Sequence, residues 1–305
     1  MTELYNEYSK YLKDKYGEKV YKLPINIPVT CPNRDGTVGV GGCTFCAEEG
    51  TGFEMLDSKI SVKEQIEKNM DYISKKYKAE KFIAYFQNYT NTYLKLETFK
   101  KYITEAIVDN IVEISISTRP DCIGDEYLEF LNEVRDTYHI NISIELGLQT
   151  VNYQTLIVIN RGHTLAAFID AVMRIKKFNF DTCVHVILNL PGDNIYDTIE
   201  TAKILSVLKV EQVKLHSLYI MENTAMGSLY KKNEIVIISH DEYVERVITF
   251  LEHLNKDIVV QRLLGRAPKE NSLFVNWGMS WWKIKDEILE SMSKQGSYQG
   301  KKAIY

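Results

Sequence analysis

The stretch Ile27-Pro-Val-Thr-Cys-Pro-Asn-Arg-Asp-Gly-Thr-Val-Gly-Val-Gly-Gly-Cys-Thr-Phe-Cys46 combines three cysteines with a glycine-rich segment. Cys31, Cys43 and Cys46 have the spacing C-x11-C-x2-C. Because only two residues separate the last two cysteines, both sulfurs can reach one metal centre from a tight turn. The glycines let the loop wrap closely around a bulky inorganic ligand. The pattern therefore predicts a metal site directly after the first strand.

The number of nearby ligands indicates which kind of metal site this is. A structural zinc ion normally needs four ligands. The next candidates after the three cysteines are Cys122 and His139, which are distant in sequence. A cubane iron–sulfur cluster held by three thiolates leaves one iron open to another ligand. The alternatives are a zinc loop completed by a distant residue and buried structural cysteines.

The chain as a whole has an ordinary globular composition. It has 305 residues and a net charge of −4, which excludes a generally basic nucleic-acid coat but leaves room for a local basic groove. No apolar run approaches the roughly 20 residues that span a bilayer, and the start has no basic segment followed by an apolar one. Five cysteines, three of them clustered, do not suggest a disulfide framework. We therefore expect a cytoplasmic protein without a membrane segment.

Outward from the cysteine loop, short β-rich runs alternate with helical patterns. The strand candidates are Val20–Ile27, Lys81–Gln87, Val112–Ser117, Asn141–Leu148, Thr182–Leu190 and Gln212–Ile220. The helix candidates between them are Ser61–Tyr77, Glu97–Val108, Asp125–Tyr138, Thr164–Phe178 and Tyr196–Leu208. Nearly continuous apolar strands are typical of a parallel sheet that is buried on both faces. The alternation predicts βαβ units, in either a doubly wound sheet or a barrel, with the chemistry at the carboxyl ends of the strands.

The two ends of the chain depart from this alternation. Tyr5–Lys22 is rich in Tyr and Lys, and we expect a helix there that leads into the first strand. Near the other end we expect a helix over His240–Asn255, a strand over Ile258–Leu263 and a last helix over Trp281–Ser293. The predicted organisation is an N-terminal helical segment (1–19), a strand–helix unit (20–220) and a C-terminal extension packed on it (221–305).

Several strings carry a resemblance to a known family. The first strand, the cysteine loop and Phe45 resemble the radical S-adenosylmethionine (SAM) superfamily, and the long first gap resembles the branch that includes the catalytic subunit of Elongator. The further strings are Tyr85-Phe-Gln-Asn-Tyr-Thr-Asn-Thr-Tyr93, Ser117-Thr-Arg-Pro-Asp-Cys122, Glu145-Leu-Gly-Leu-Gln149, Asn160-Arg-Gly-His163, Leu190-Pro-Gly192 and Gly296-Ser-Tyr-Gln-Gly300. Together they resemble the bacterial YhcC/YtqA-type family over nearly the full chain. The resemblance implies a partial (β/α)6 TIM-type barrel with a C-terminal α/β extension.

The resemblance also implies the cofactors, a [4Fe–4S] cluster on the three cysteines and SAM at its open iron. Reductive cleavage of SAM would then give a 5′-deoxyadenosyl radical. By the same resemblance, strand ends and loops supply the residues around SAM, which are Phe45, Gln87, Asn91, Glu145, Gln149, Arg161, Gly192 and Tyr219.

For three of these positions, the local sequence also bears on the predicted contact with SAM. The second strand lacks the usual Gly-Gly-Glu motif, so Gln87 and Asn91 are substitutes for it, with a capped turn as the alternative. Glu145 lies between two apolar residues and should face the barrel interior, where a carboxylate requires a ligand or a basic partner.

The substrate side of the predicted site comes from two strands. Arg119, Asp121 and Cys122 follow the third strand, and His216 lies on the sixth. We expect these four residues to act on substrate. A salt-bridged loop and a small apolar cysteine are the alternatives. His185, within an apolar strand, is more typical of a core histidine.

The resemblance to the Elongator-like branch implies an RNA substrate, the wobble uridine of transfer RNA. Basic and aromatic residues interleave in Lys10–Tyr16 and Lys75–Lys78, and a similar group near the end of the chain consists of Trp277, Trp281, Trp282, Lys283 and Lys285. Such patches bind phosphates and stack bases, although solvated helix faces have the same composition. An electron donor such as flavodoxin or ferredoxin is a further expected partner. The alternatives are a radical SAM enzyme for a small molecule such as a tetrapyrrole, and a non-enzymatic zinc or iron–sulfur module.

Overall fold

The computed structural model describes residues 3–47, 55–266 and 270–304. Residues 1 and 2 of the predicted N-terminal segment, and 267–269 and 305 of the predicted extension, lie outside the described residues. The strands are β1 (Val20–Ile25), β2 (Lys81–Phe86), β3 (Ile111–Thr118), β4 (Asn141–Gln149), β5 (Asp181–Ile187), β6 (Gln212–His216), β7 (Ile220–Met221), β8 (Val259–Arg262) and β9 (Ser272–Phe274). The helices are α1 (Tyr8–Tyr16), α2 (Val62–Tyr77), α3 (Leu96–Glu105), α4 (Asp125–Tyr138), α5 (Tyr153–Val158), α6 (Leu165–Lys177), α7 (Ile195–Val207), α8 (Ala225–Lys231), α9 (His240–His253) and α10 (Trp281–Lys294).

The main sheet is parallel and has the order β1-β2-β3-β4-β5-β6-β8. This order follows the chain without a reversal, whereas a doubly wound sheet reverses at a switch point. The two edges of the sheet approach each other on its inner face, where Lys22 Nζ of β1 lies 3.0 Å from Gln261 Oε1 of β8. The predicted partial barrel is therefore confirmed, and the doubly wound alternative is wrong.

The seventh strand of this sheet comes from the predicted C-terminal extension. β8 pairs with β6 in the register Gln212↔Val259 and Val213↔Val260. A separate two-stranded sheet joins β7 to β9, with Ile220 opposite Phe274. The predicted sixth strand accordingly ends at His216 instead of Ile220. The extension thus completes the barrel wall in addition to packing on it.

The local sequence explains where the outer helices begin and which face they bury. Ser61 and Thr164 are N-caps as predicted, and each side chain accepts a hydrogen bond from the backbone N–H three residues later. Apolar residues at helical spacing, such as Phe99, Leu131 and Phe168, are fully buried against the strands. No helix among the described residues is long and apolar enough to cross a membrane.

Helix α1 closes the amino-terminal mouth of the barrel. Tyr11 Oη and Lys15 Nζ lie 3.2 and 2.9 Å from the carboxylate of Asp181, the first residue of β5. Tyr16 Oη donates to Glu113 Oε2 of β3 at 2.7 Å. Since this end of the barrel is plugged, the accessible interior opens toward the carboxyl ends of the strands and the gap between β1 and β8.

Candidate active site

The three cysteines lie in the segment that follows β1. The backbone N–H of Cys46 donates to the carbonyl of Cys43 at 2.9 Å, which forms the tight turn expected from their spacing. Gly41 and Gly42 have φ angles of +77° and +84°, in the left-handed region that side chains with a Cβ rarely adopt. The loop thereby brings Cys31, Cys43 and Cys46 to one cavity at the carboxyl ends of the strands.

Hydrogen-bond donors surround the sulfurs of this loop. Arg34 Nη1 lies 3.4 Å from Cys46 Sγ, and Arg161 Nη1 lies 3.5 Å from Cys43 Sγ. Asn33 Nδ2 lies 3.7 Å from Cys43 Sγ. Positive charge and N–H donors favour the thiolate, which is the form that binds metal.

The spread of the three sulfurs fits a cluster better than a single ion. In a tetrahedral zinc site with Zn–S bonds of about 2.3 Å, the sulfurs lie about 3.8 Å apart. Two groups of three ligand atoms within 4.8 Å of one another occur among the described residues, and neither contains Cys31, Cys43 or Cys46. Thiolates that bind separate irons of a cubane are spaced more widely.

The environment of Cys46 also suits a polynuclear cation. Burial, together with Cys43 and Cys31, raises the pKa of the Cys46 thiol to about 11, and Arg34 opposes the rise only in part. A bound cluster supplies the positive charge that holds this group as a thiolate. The residues present therefore fit a [4Fe–4S] cluster with one iron open.

A cavity of about 1110 Å³ occupies the barrel interior beside these cysteines. Pockets for one small ligand measure roughly 300–1,000 Å³. The cavity is therefore large enough for a second reactant next to a cofactor. Of the residues predicted to contact SAM or substrate, those that line it are Phe45, Gln87, Arg119, Glu145, Gln149, Arg161, His216 and Tyr219.

Asn91 and Gly192 are outside the lining, which corrects their predicted contact with the cofactor. Asn91 Nδ2 donates to the carbonyls of Phe86 and Ser117 at 3.0 and 2.9 Å, so its side chain builds the turn after β2. Gly192 has φ +97°, and a Cβ there would lie 3.3 Å from Thr155 Oγ1. Its glycine is needed for the turn after β5 and not for approach to the cavity.

Glu145 faces the interior as predicted, and basic partners satisfy it. Its carboxylate binds the ammonium groups of Lys22 and Lys214, the latter at 2.9 Å. It also accepts from His185 Nε2 at 2.7 Å and from Tyr85 Oη at 2.8 Å. These partners hold the pKa of this carboxyl well below its usual range despite complete burial. With its oxygens occupied, Glu145 has little capacity to bind SAM, and the basic-partner alternative accounts for its burial.

Arg161 lies beside the cysteine loop, and Gln149 lines the same cavity. Arg161 donates to both Cys43 Sγ and the carbonyl of Gly147, and its buried Nε has no partner among the described residues. A Cβ on Gly147 would lie 2.6 Å from Arg161 Nη2, so only glycine leaves room for the guanidinium. Burial near Cys46 raises the pKa of the Tyr219 phenol to about 12.

Of the three predicted residues after β3, only one side chain lines the cavity. Arg119 lines the cavity and binds both oxygens of Asp121, at 2.9 and 2.7 Å. Asp121 and Cys122 do not line it, which corrects their predicted contact with substrate. Burial and the Asp121 carboxylate raise the pKa of the Cys122 thiol to about 12, so this thiol stays protonated near neutral pH. Arg119 and Asp121 therefore form the salt-bridged loop that was the alternative to a role in substrate binding.

His216 lies deeper, against a residue that the sequence reasoning missed. Arg262 Nη2 of β8 lies 2.7 Å from His216 Nδ1, and the centre of the His216 ring lies 5.0 Å from that of His185, with the rings tilted by 31°. Burial and the nearby Arg262 hold the pKa of His216 well below its usual range, and burial lowers that of His185 to about 4. Both histidines are therefore neutral near pH 7.

Lys22, Lys214 and Arg262 were missed, although the sequence contains a signal for them. Lys22 and Lys214 are cations within a strand, as in Val213-Lys-Leu215, and Arg262 is the last residue of β8. A charge at such a position needs a partner or a ligand, since an unpaired buried charge is costly.

Comparison with known proteins identifies the family. The model of the radical SAM superfamily matches residues 25–205, and that of the radical SAM C-terminal domain matches residues 210–294. The Bacillus subtilis protein YtqA is 34% identical over 298 residues, covering 97% of this chain and 92% of YtqA. The tRNA uridine(34) acetyltransferase of Methanocaldococcus jannaschii is 25% identical over 146 residues, which cover 47% of this chain and 26% of that protein.

One solved structure has the same fold over most of the chain. It is the Elp3 protein of Methanocaldococcus infernus with an N-terminal deletion, which has a TM-score of 0.71 and 16% identity. The match covers 92% of this chain and 64% of that one. The family prediction is confirmed, including its YtqA-type branch, and a [4Fe–4S] cluster and SAM are the cofactors that define the radical SAM superfamily. The chain belongs to the radical SAM superfamily.

Proposed function

We propose that this chain is a radical SAM enzyme that modifies RNA, at the wobble uridine of transfer RNA. A bound cluster would supply the electron for reductive cleavage of the S–C5′ bond of SAM, which would give methionine and the radical that abstracts a hydrogen atom from substrate. Cys31, Cys43 and Cys46 would hold the cluster. Arg161 and Gln149, beside the cysteines, would orient SAM. The electron donor we propose is a flavodoxin or ferredoxin of the cytoplasm.

The observation that carries the RNA proposal is the rim of the cavity. Its exposed or partly exposed cations include Lys10, Lys13 and Lys19 on and just after α1, where the cavity reaches the gap between β1 and β8. The others are Arg34, Arg266 and Lys285. Lys13 and Lys19 form no ion pair with any described residue, and Arg266 lies 5.9 Å from the centre of the Trp281 ring. Basic groups interleaved with aromatic rings bind a phosphate backbone and stack bases.

Two further points bear on this proposal. The Lys10–Tyr16 segment supplies part of this rim, whereas Lys75–Lys78 lies on or just after α2, outside the cavity lining. Only the first of the two basic segments therefore supports RNA binding at the site. The similarity to a tRNA uridine(34) acetyltransferase over 146 residues is consistent with a tRNA substrate.

The test compares tRNA binding by the reconstituted wild-type holoprotein with binding by a variant in which two rim lysines are replaced by glutamate. We expect Lys13→Glu with Lys19→Glu to weaken tRNA binding and to lower the salt slope of log K by about 2, roughly one for each lost phosphate contact. The matched control is Lys177→Glu with Lys232→Glu, two exposed lysines away from the cavity. Two results together would contradict the proposal. The purified holoprotein would not bind tRNA, and deletion of the protein would leave the tRNA nucleosides of the cell unchanged.

A small molecule such as a tetrapyrrole is the second candidate substrate, and the deep cations of the cavity favour it. Lys214 on β6 and Arg262 at the end of the edge strand β8 both line this cavity. Binding of such a metabolite without RNA would support this candidate. A non-enzymatic zinc or iron–sulfur module is the third possibility, and release of 5′-deoxyadenosine from SAM under dithionite would exclude it.

A further inference from the structure

The interior of the barrel holds more positive than negative charge. Lys22, Lys214 and Arg262 all line the cavity, and Glu145 is the one carboxylate that contacts any of them among the described residues. His216 is neutral near pH 7 and therefore leaves this charge balance unchanged. Three cations with one anion leave an excess of two positive charges on the cavity wall.

Arg262 is the least satisfied of these cations. The part of the chain that the structure describes offers it no carboxylate within ion-pair distance, and its buried Nε has no hydrogen-bond partner. Its one recorded partner is the neutral His216, at 2.7 Å. An arginine remains protonated even when buried, so this charge needs compensation from elsewhere.

The guanidinium is held in place by its neighbours. A Cβ at Gly265 would lie 3.0 Å from Arg262 Cζ and Nη2, so the glycine leaves the space that the group occupies. His216 fixes the other side through its ring nitrogen. The group is thus oriented before any ligand binds.

Lys214 stands next to it on the same face of the sheet. Lys214 and Arg262 are register partners on β6 and β8, and partners in register point to one side. Lys214 Nζ uses two hydrogen bonds, to Tyr85 Oη and Glu145 Oε2, both at 2.9 Å. An ammonium has three donors, so one remains for a ligand.

Arg262 and Lys214 line the same cavity as Cys46 and Tyr219. Arg161, which contacts Cys43 Sγ, follows β4 and α5 on another part of the wall. The site at Arg262 is therefore separate from the arginine proposed above to orient SAM.

We propose that Arg262, oriented by His216 and assisted by Lys214, binds a carboxylate or phosphate group of the molecule that the radical attacks. A planar guanidinium binds two oxygens of either group at once, and such charge-assisted pairs are the strong ones. This assignment rests on the radical SAM function proposed above, because it takes the second ligand of the cavity to be the substrate.

The experiment measures anion binding by the reconstituted holoprotein without SAM. Inorganic phosphate and malonate are titrated separately against the melting temperature, with chloride at matched ionic strength as the reference. The variants are Arg262→Gln, Arg262→Lys and, outside the barrel, Arg135→Gln. Iron content and circular dichroism check that each variant is folded and loaded.

We expect a saturable rise in melting temperature with phosphate or with malonate, and none with chloride. Arg262→Gln should weaken the dissociation constant about tenfold to a hundredfold, as expected for a lost charge-assisted hydrogen bond. Arg262→Lys should weaken it less, and Arg135→Gln should leave it unchanged. If Arg262→Gln does not fold, the comparison of Arg262→Lys with Arg135→Gln decides the assignment.

The two anions distinguish the source of the group. Binding of phosphate alone indicates a phosphate-bearing substrate, and binding of malonate alone a carboxylate-bearing one. No saturable binding, or binding that persists unchanged in the Arg262 variants, overturns the proposal. Failure of the radical function would look different, since the wild-type holoprotein would then release no 5′-deoxyadenosine from SAM.

Discussion

Replacement of Glu145 by Gln tests whether the buried carboxylate holds the barrel interior together. Its side chain is fully buried and contacts the ammonium groups of Lys22 and Lys214. Glutamine has nearly the same volume and leaves the packing intact. It removes the negative charge, however, and turns an amide N–H₂ toward one of the cations.

The size of the effect follows from the charges left behind. Removal of one member of a buried ion pair costs about 3–5 kcal/mol, because the remaining charge stays buried without compensation. For a chain of 305 residues this corresponds to a fall of about 5–8 °C in melting temperature. Loss of the hydrogen bonds from His185 and Tyr85 acts in the same direction.

The pH dependence gives a second signature. The pKa of Glu145 lies well below its usual value of 4.5, so its stabilisation is complete above pH 4.5 and is lost as pH falls through the lower value of the folded state. The deficit of Glu145→Gln should therefore be full at pH 7–8 and smaller at pH 4.

The assay is thermal unfolding of wild type, Glu145→Gln and Glu129→Gln, followed by circular dichroism. Glu129 is exposed on α4 and serves as the matched control for the loss of one carboxylate. A Glu145→Gln protein that melts within 1 °C of wild type at pH 7.5 would refute the view that this carboxylate compensates the two lysines.

Three other changes have defined outcomes. Asp193→Asn should stabilise the protein by at most about 3 kcal/mol at pH 7.5 and by clearly less at pH 4.5. Burial raises the pKa of Asp193 from 3.8 to about 6, so the cost of its charge grows as pH rises between these two values; equal gains in urea unfolding at both pH values would contradict this. Gly147→Ala should cost about 1–3 kcal/mol in wild type and less when Arg161 is also changed to Ala, since the clash is with that guanidinium; additive losses in the double-mutant cycle would count against it. Glu113→Gln should speed amide exchange in α1, measured by mass spectrometry, and unchanged exchange relative to Glu129→Gln would show that Tyr16 does not depend on this carboxylate.

The sequence was sufficient to predict the barrel because its signals are local. Strand and helix patterns alternate in chain order, and N-caps such as Ser61 and Thr164 mark where helices begin. The pairing of β8 with β6 was not predicted, because a strand outside the alternation carries no information about its partner. The early end of β6 at His216 likewise depends on the second sheet, which forms between distant segments.

The candidate site was predicted where a residue's role depends on its own loop. The spacing of Cys43 and Cys46 predicts their turn without knowledge of the rest of the chain. The role of Asn91 was wrongly predicted, because the carbonyls that bind its amide come from two separate segments. Arg262 was missed for the same reason, since its neighbour His216 is close only in the folded barrel.

The central claim is that Cys31, Cys43 and Cys46 together hold one [4Fe–4S] cluster. The most direct measurement is the iron content of anaerobically reconstituted protein, with Cys183→Ala as a control that removes a buried cysteine outside the loop. We predict about four irons per chain in wild type and in Cys183→Ala, and loss of the cluster when any one of the three is changed to Ala. A full complement of iron in Cys31→Ala, Cys43→Ala or Cys46→Ala would contradict the account.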